Sequence, residues 1–280
     1  MNWSRSGLTG LLLILLFPAP GRSQAPARTT GLKGRMFIYW GYNRARFSNS
    51  TIHFTGDGLD LWLHDVSASD RPIPYSSATY LDLRQVWLPQ YNYRAGWYFH
   101  DRWSLSLGLD HMKYVMNDGQ TVMAEGTVME SRSANHAMHD EQRELTLTDD
   151  VLTYEHTDGL NLLSVDLDHF WPLVGQASDR FSLLAFAGAG AGPVIPRSDV
   201  RLFGEGLNNV FHVAGYGLSA KMGVHMGLFR HFFLRSDLRG GYIDMPDVLT
   251  TGQGNDRASQ HFTFTQWAWY FGGTIPLGKR

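Results

Sequence analysis

The chain has 280 residues, 43% hydrophobic and 18% charged, with a formal net charge of −2 at pH 7. This composition excludes wholesale disorder, which needs low hydrophobicity and high net charge, and it supplies no global basic field to draw nucleic acid. With no cysteine, a disulfide framework, a thiolate metal site and a lipid-modified N-terminal Cys are excluded as well.

The chain opens with Arg5, then Leu8 and an apolar run over 11–17, broken by Pro18, Ala19, Pro20 and Gly21. A basic start, a short apolar core and small residues after it read as a secretory signal peptide over 1–24. Ala19-Pro20-Gly21 and Ser23-Gln24-Ala25 are both open as cleavage sites. The run is too short for a membrane helix, which takes ~20 apolar residues. Residues 25–34 are expected as a periplasmic N-terminal segment, and 35–280 as the folded body.

Within that body, period-two alternation marks strands with one apolar and one polar side. Met36, Ile38, Trp40 and Tyr42 oppose Phe37, Tyr39, Gly41 and Asn43. Tyr91, Tyr93, Ala95, Trp97 and Phe99 oppose Gln90, Asn92, Arg94 and Gly96, and after a tight turn Leu105, Leu107 and Leu109 oppose Ser104, Ser106 and Asp110. Leu163, Val165 and Leu167 oppose Ser164, Asp166 and Asp168. The Gly188-Ala189-Gly190-Ala191-Gly192 run is less regular, and its small residues suit close approach of a backbone or a bulky side chain. Leu218, Met222 and Val224 oppose Ser219, Lys221 and His225; Phe232, Leu234 and Leu238 oppose Arg235, Asp237 and Arg239. Trp267, Trp269 and Phe271 share a face of the last strand.

The predicted strands are 35–47, 89–99, 103–116, 160–171, 181–197, 211–228, 232–245 and 261–275. Their connections alternate in length. Segments 100–102, 172–180 and 229–231 are short; 48–88, 117–159, 198–210 and 246–260 are long. Short periplasmic turns and long outer loops are the layout of an outer-membrane barrel. A soluble β-sandwich also alternates, but its loops need not sort by length. The expected fold is therefore all-β, an antiparallel transmembrane up-and-down β-barrel of about eight strands in the cell outer membrane. Ile52, Phe54 and Leu61-Trp62-Leu63 look strand-like within the first long loop. That hairpin would extend the sheet above the membrane or raise the count to ten.

An eight-stranded barrel leaves room only for side chains. With apolar faces on lipid, the lumen receives Arg94, Asp110, Asp166, Asp168, Lys221, Arg235, Asp237 and Arg239, four cations against four anions. Near-neutral pairing is what a closed interior demands. A salt-bridge plug is favoured over an ion path.

P-loop, dinucleotide and GxSxG motifs are absent, and no cofactor is expected. Three polar clusters remain. Asp110-His111-Met112-Lys113-Tyr114 ends one strand, and Glu155-His156-Thr157-Asp158-Gly159 begins the next. Convergence of His111, His156 and Asp158 at the outer rim would offer a base and an acid for a hydrolase or acyltransferase. His136 and His139, in a loop rich in charge, would bind a divalent metal only if helical; 117–159 reads instead as a solvated or mobile loop.

The segments Phe37-Ile38-Tyr39-Trp40-Gly41-Tyr42-Asn43-Arg44 and Pro89-Gln90-Tyr91-Asn92-Tyr93-Arg94 carry a resemblance to an outer-membrane β-barrel family of Bacteroidota. Asp110-His111-Met112-Lys113-Tyr114-Val115-Met116 and Tyr154-Glu155-His156-Thr157-Asp158-Gly159-Leu160-Asn161 add to it. The likeness covers most of the chain after the signal peptide. It implies a location and a fold, not an activity. The layout also resembles small OmpA-type, OmpW-type and lipid A-modifying barrels, with no residue-by-residue match to the lipid A-modifying sites. Such barrels often end on an aromatic residue, whereas this chain ends Pro276-Leu277-Gly278-Lys279-Arg280. The expected partners are outer-membrane lipids, the barrel-assembly machinery during biogenesis and an extracellular ligand of unknown kind, with no nucleic acid. The expected role is non-enzymatic. A lipid-modifying enzyme of the outer rim and a narrow conduit for small or apolar solutes are the alternatives.

Overall fold

Alternating strands bury one face only by closing on themselves or on another layer, and the computed structural model shows closure. It describes residues 29–74, 76, 90–177, 179–206, 208–251 and 255–277. The signal-peptide segment 1–24 and residues 25–28 of the expected periplasmic segment lie outside the described residues.

Fourteen strands are described. In chain order they are β1 (Arg35–Phe47), β2 (Ser50–Gly56), β3 (Leu59–Val66), β4 (Ala68–Asp70), β5 (Tyr91–His100), β6 (Trp103–Met116) and β7 (Gln120–Val128), then β8 (Met138–Leu147), β9 (Leu152–Val174), β10 (Phe181–Pro196), β11 (Asp199–Leu202), β12 (Gly215–Leu228), β13 (Phe232–Leu249) and β14 (Arg257–Pro276). Eight of them form an antiparallel ring in the order β1-β5-β6-β9-β10-β12-β13-β14. The pairing of β1 with β14, from Arg35↔Pro276 to Phe47↔Phe264, closes it. The three short connections and both ends of the ring share one rim, the lower; the long connections share the other, the upper.

The expected eight-strand barrel is thus the observed fold. The hairpin of the first long loop lies outside the ring and continues its sheet upward. The lengthened β14 pairs β2, and the sheet runs on through β3, β7 and β8. β4 pairs β6 and β11 pairs β9 at the same level.

The long-loop expectations are overturned in part: β11 lies within 198–210, and β13 and β14 extend into 246–260. Residues 117–159, read as a solvated or mobile loop, form β7, β8 and the upper part of β9. Val122, Ala124, Val128, Met138, Leu145 and Leu147 turn inward there. Charges on the outward side dilute the alternation that would have announced them. β9 also starts earlier than residue 160. Asp158-Gly159 reads as a turn, yet residues 157–159 bulge opposite Lys113, with Gly159 at φ 139°, and the strand continues.

The interior is layered. At the lower end Phe37, Tyr39, Tyr98, Phe170, Phe186, Phe233 and Tyr270 form an aromatic cluster, closed by Leu32 from the segment before β1. A larger apolar core fills the upper part, with Phe54, Leu61, Met112, Tyr154, Phe262 and Phe264 among its members. This upper core makes the β2, β3, β7 and β8 sheet a packed cap. The charged residues lie between the two apolar layers.

Candidate functional site

The middle layer is one ion-pair network. Arg94 on β5 pairs with Asp110 on β6 at 2.6 Å and with Asp166 on β9. Arg239 on β13 reaches the same two carboxylates, at 2.9 Å to Asp110 and 3.2 Å to Asp166. Lys221 on β12 bridges Asp166 at 3.0 Å and Asp168 at 3.1 Å. Arg235 on β13 pairs with Asp168 at 2.9 Å and approaches Asp237 at 3.5 Å. All eight side chains are buried. Four cations and four anions balance, so no charge is left alone in a dry interior.

Two glycines make room for it. A Cβ at Gly190 would stand 1.7 Å from Asp166 Oδ1, and one at Gly188 would stand 2.1 Å from Asp168 Oδ1. These glycines pair directly with those aspartates across the β9–β10 ladder. Below them the Arg235 guanidinium lies 3.6 Å from the centre of the Phe186 ring. This cation–π contact joins the network to the aromatic cluster.

Asn92, read from the sequence as a lumen residue, gathers residues that sequence reasoning did not single out into a polar layer on the same inner face. Asn43 Nδ2 donates to Asn92 Oδ1 at 2.6 Å, and Asn92 Nδ2 donates to Tyr270 Oη at 3.2 Å and to Gln266 Oε1 at 3.3 Å. The inward parity of Arg94 and Asn92, carried across the sheet to β1 and β14, was the signal available for Asn43, Gln266 and Tyr270.

The outer face of the ring is apolar: Ile38 is 64% exposed, Leu238 56% and Trp267 54%. Charges inside and hydrocarbon outside invert the arrangement of a water-soluble barrel. A closed ring satisfies its backbone hydrogen bonds without water, which is the β solution to crossing a bilayer. Tyr91, Tyr93, Trp267 and Trp269 add exposed or half-buried aromatic rings to that outward face. The protein resides in the cell outer membrane.

The rim candidates do not assemble. His111 Nδ1 lies 2.9 Å from Asn161 Oδ1, and the His111 ring stacks on Tyr91. His156 turns into the cap core, where its Nδ1 lies 2.8 Å from Ser198 Oγ. Asp158 is exposed and pairs with Arg197 at 3.4 Å. The three therefore take different partners, and the expected base–acid convergence is absent among them. Burial alone pushes His156 down to about 3.

His136 and His139 are not on a helix. His136 occupies the turn before β8, stacked on Phe203 with Nδ1 3.0 Å from Ser133 Oγ, while His139 is exposed on β8. Among the described residues, no group of three or more His, Asp or Glu side chains is placed to hold a metal ion.

No protein-family model and no curated protein matches the chain. Among solved structures it is similar to Ail, the attachment invasion locus protein of Yersinia pestis, at 11% identity over 87% of this chain and 99% of that chain, with a TM-score of 0.31. Neisserial surface protein A matches at 11% over 84% and 98%, with a TM-score of 0.31. The outer membrane protease OmpT of Escherichia coli matches at 6% over 90% and 100%, with a TM-score of 0.33. Superpositions this loose carry no argument about activity; the barrel rests on this chain's own strand pairing.

Proposed function

We propose that the protein is a non-enzymatic outer-membrane barrel whose plugged ring anchors a rigid β cap for recognition or envelope structure. One observation carries the reading: the ion pairs span the lumen from wall to wall while an apolar core closes the space above them. A lumen so filled offers no path to solutes, and the dispersed rim histidines offer no assembled acid–base pair. What faces the outside is an ordered sheet, the usual carrier of recognition when a scaffold holds it firmly.

The finer setting follows the sequence resemblance. It is a Gram-negative envelope of the Bacteroidota, reached through the barrel-assembly machinery after removal of signal peptide 1–24. Outer-membrane lipids surround the wall, and the cap meets an extracellular ligand.

Lipid A mass spectra of a deletion strain test the non-enzymatic reading. An unchanged acyl pattern is expected, with His156→Ala complementing any envelope phenotype as well as the wild type. A changed acyl pattern that wild type restores and His156→Ala does not would reject it.

A further inference from the structure

A row of small side chains, ended by Arg46, crosses the lipid-facing wall. Ala189 of β10 pairs Ala220 of β12, which pairs Gly240 of β13, which pairs Thr265 of β14, which pairs Arg46 of β1. The rows on either side are bulky: Met222, Leu238 and Trp267 below, Leu218 and Tyr242 above. An apolar groove of about 750 Å³ runs along Ala189, Ala220 and Gly240, with Leu218 and Tyr242 above it and Leu105, Val165 and Leu167 at its β6–β9 end. Counted from the lower strand ends, its row climbs from Ala189 to Arg46, so its high end is the outer one.

Gly240 has no packing reason to be glycine. A Cβ there would meet nothing closer than 3.9 Å, and its φ is not left-handed. Glycine inside a strand costs conformational entropy and usually marks close approach of something else.

A second concavity adjoins the first. Where β14 changes neighbour from β1 to β2, a polar pocket of about 420 Å³ opens. Ser48, Asn49, Asp65 and His261 line it, and it shares Tyr242 and Thr263 with the groove. Asn49 Nδ2 donates to Asp65 Oδ1 at 3.1 Å, and Asp65 holds a left-handed φ of 57°. Tyr242 stands about ten residues up β13 from the lower rim, the length of strand that crosses a bilayer. Tyrosine at that height belongs to the outer headgroup layer.

We infer that this joined groove and pocket bind one phosphorylated glycolipid of the outer leaflet. Its acyl chain lies along Ala189, Ala220 and Gly240. Its sugar hydroxyls meet Asn49, Asp65 and His261 beside the Tyr242 ring. Its phosphate faces the exposed Arg46 at the end of the row. The inference rests on the barrel's membrane placement and not on the proposed lack of catalysis.

Native mass spectrometry of the full chain, delipidated in maltoside detergent, tests it with three probes of equal acyl chains: a diacyl glucosamine 1-phosphate, phosphatidylglycerol and a diacyl glucoside. Wild type should retain the sugar phosphate at least ten-fold over either other probe. Gly240→Leu, or Ala220→Leu should the first not fold, should lower retention of all three at least five-fold. Asn49→Ala with His261→Ala should erase the preference over phosphatidylglycerol, and Arg46→Gln the preference over the glucoside. Heat-modifiable gel mobility reports folding. Equal retention of the three probes by wild type, or full retention by both groove-filled variants, overturns the inference. So does a protein dimer that the groove-filled variants abolish while lipid retention stays low, which would assign the groove to a second copy. A catalytic barrel that still showed the ten-fold preference would sink the proposed function and leave this inference standing.

Discussion

Arg239 and Asp110 form an ion pair at 2.9 Å although their strands, β13 and β6, stand on opposite sides of the eight-strand ring. A single contact thus spans the lumen. Asp166 carries the densest share, since Arg94, Lys221 and Arg239 all converge on it. Asp166→Asn would leave three buried cations short of a counter-charge. Breaking a buried network at one partner costs about 3–5 kcal/mol, and urea unfolding in detergent should show a loss of that size. Asp237 differs: neither of its oxygens accepts a hydrogen bond, and its nearest cation is 3.5 Å away. Asp237→Asn should change stability by about 1 kcal/mol or less, within the range of a weak contact. Equal losses for the two variants would contradict the assignment.

The glycines that admit the aspartates should be intolerant of a methyl group. Gly190→Ala drives a Cβ into the Asp166 carboxylate. Overpacking of this kind costs about 1–3 kcal/mol. Gly240→Ala, on the open outer wall, should be neutral or stabilising by about 0.5–1 kcal/mol. Parallel unfolding curves of the two variants give the comparison, and a reversed order would count against the inward placement of Gly190.

The cap should weaken in acid. His156 lies above the membrane-spanning part, and burial depresses it from the ordinary 6.5 to about 3. The unfolded chain then binds the proton and the folded cap does not. Cap stability is therefore full above pH 6.5 and falls as pH drops toward 3, by at most about 1.4 kcal/mol per pH unit from this group. Hydrogen exchange of β9 and β11 amides, read against pH, should show that slope in wild type and lose it in His156→Gln. The same slope in both would assign the acid sensitivity elsewhere.

Leu61 is fully buried in the cap core. Leu61→Ala should cost about 2–5 kcal/mol there. Exchange should accelerate in β2, β3 and β7 while β10 and β12, which pair within the ring, stay protected. Acceleration spread evenly over all strands would show that cap and ring unfold as one unit.

The ring was legible because its two faces differ chemically along the same strand. On β13, Leu234 and Leu238 alternate with Arg235, Asp237 and Arg239, and the structure keeps that parity. The cap was largely illegible. β8 reads Met138–Leu147 with charge at most outward positions, and only Met138, Leu145 and Leu147 mark its inner face. His156 looked like a rim residue because it sits in a polar run ending at Gly159. The bulge at 157–159 that turns it into the core is set by pairing with β6 and not by local composition. The first long connection showed its strands through Ile52, Phe54 and Leu61, whose apolar side chains all turn inward.

The most direct test of a plugged, capped barrel is conductance of the full chain in planar lipid bilayers. The account predicts a quiet membrane, without stable open-channel steps at any ionic strength that keeps the protein folded. Reproducible steps of porin size from folded protein would mean an open lumen and would contradict it.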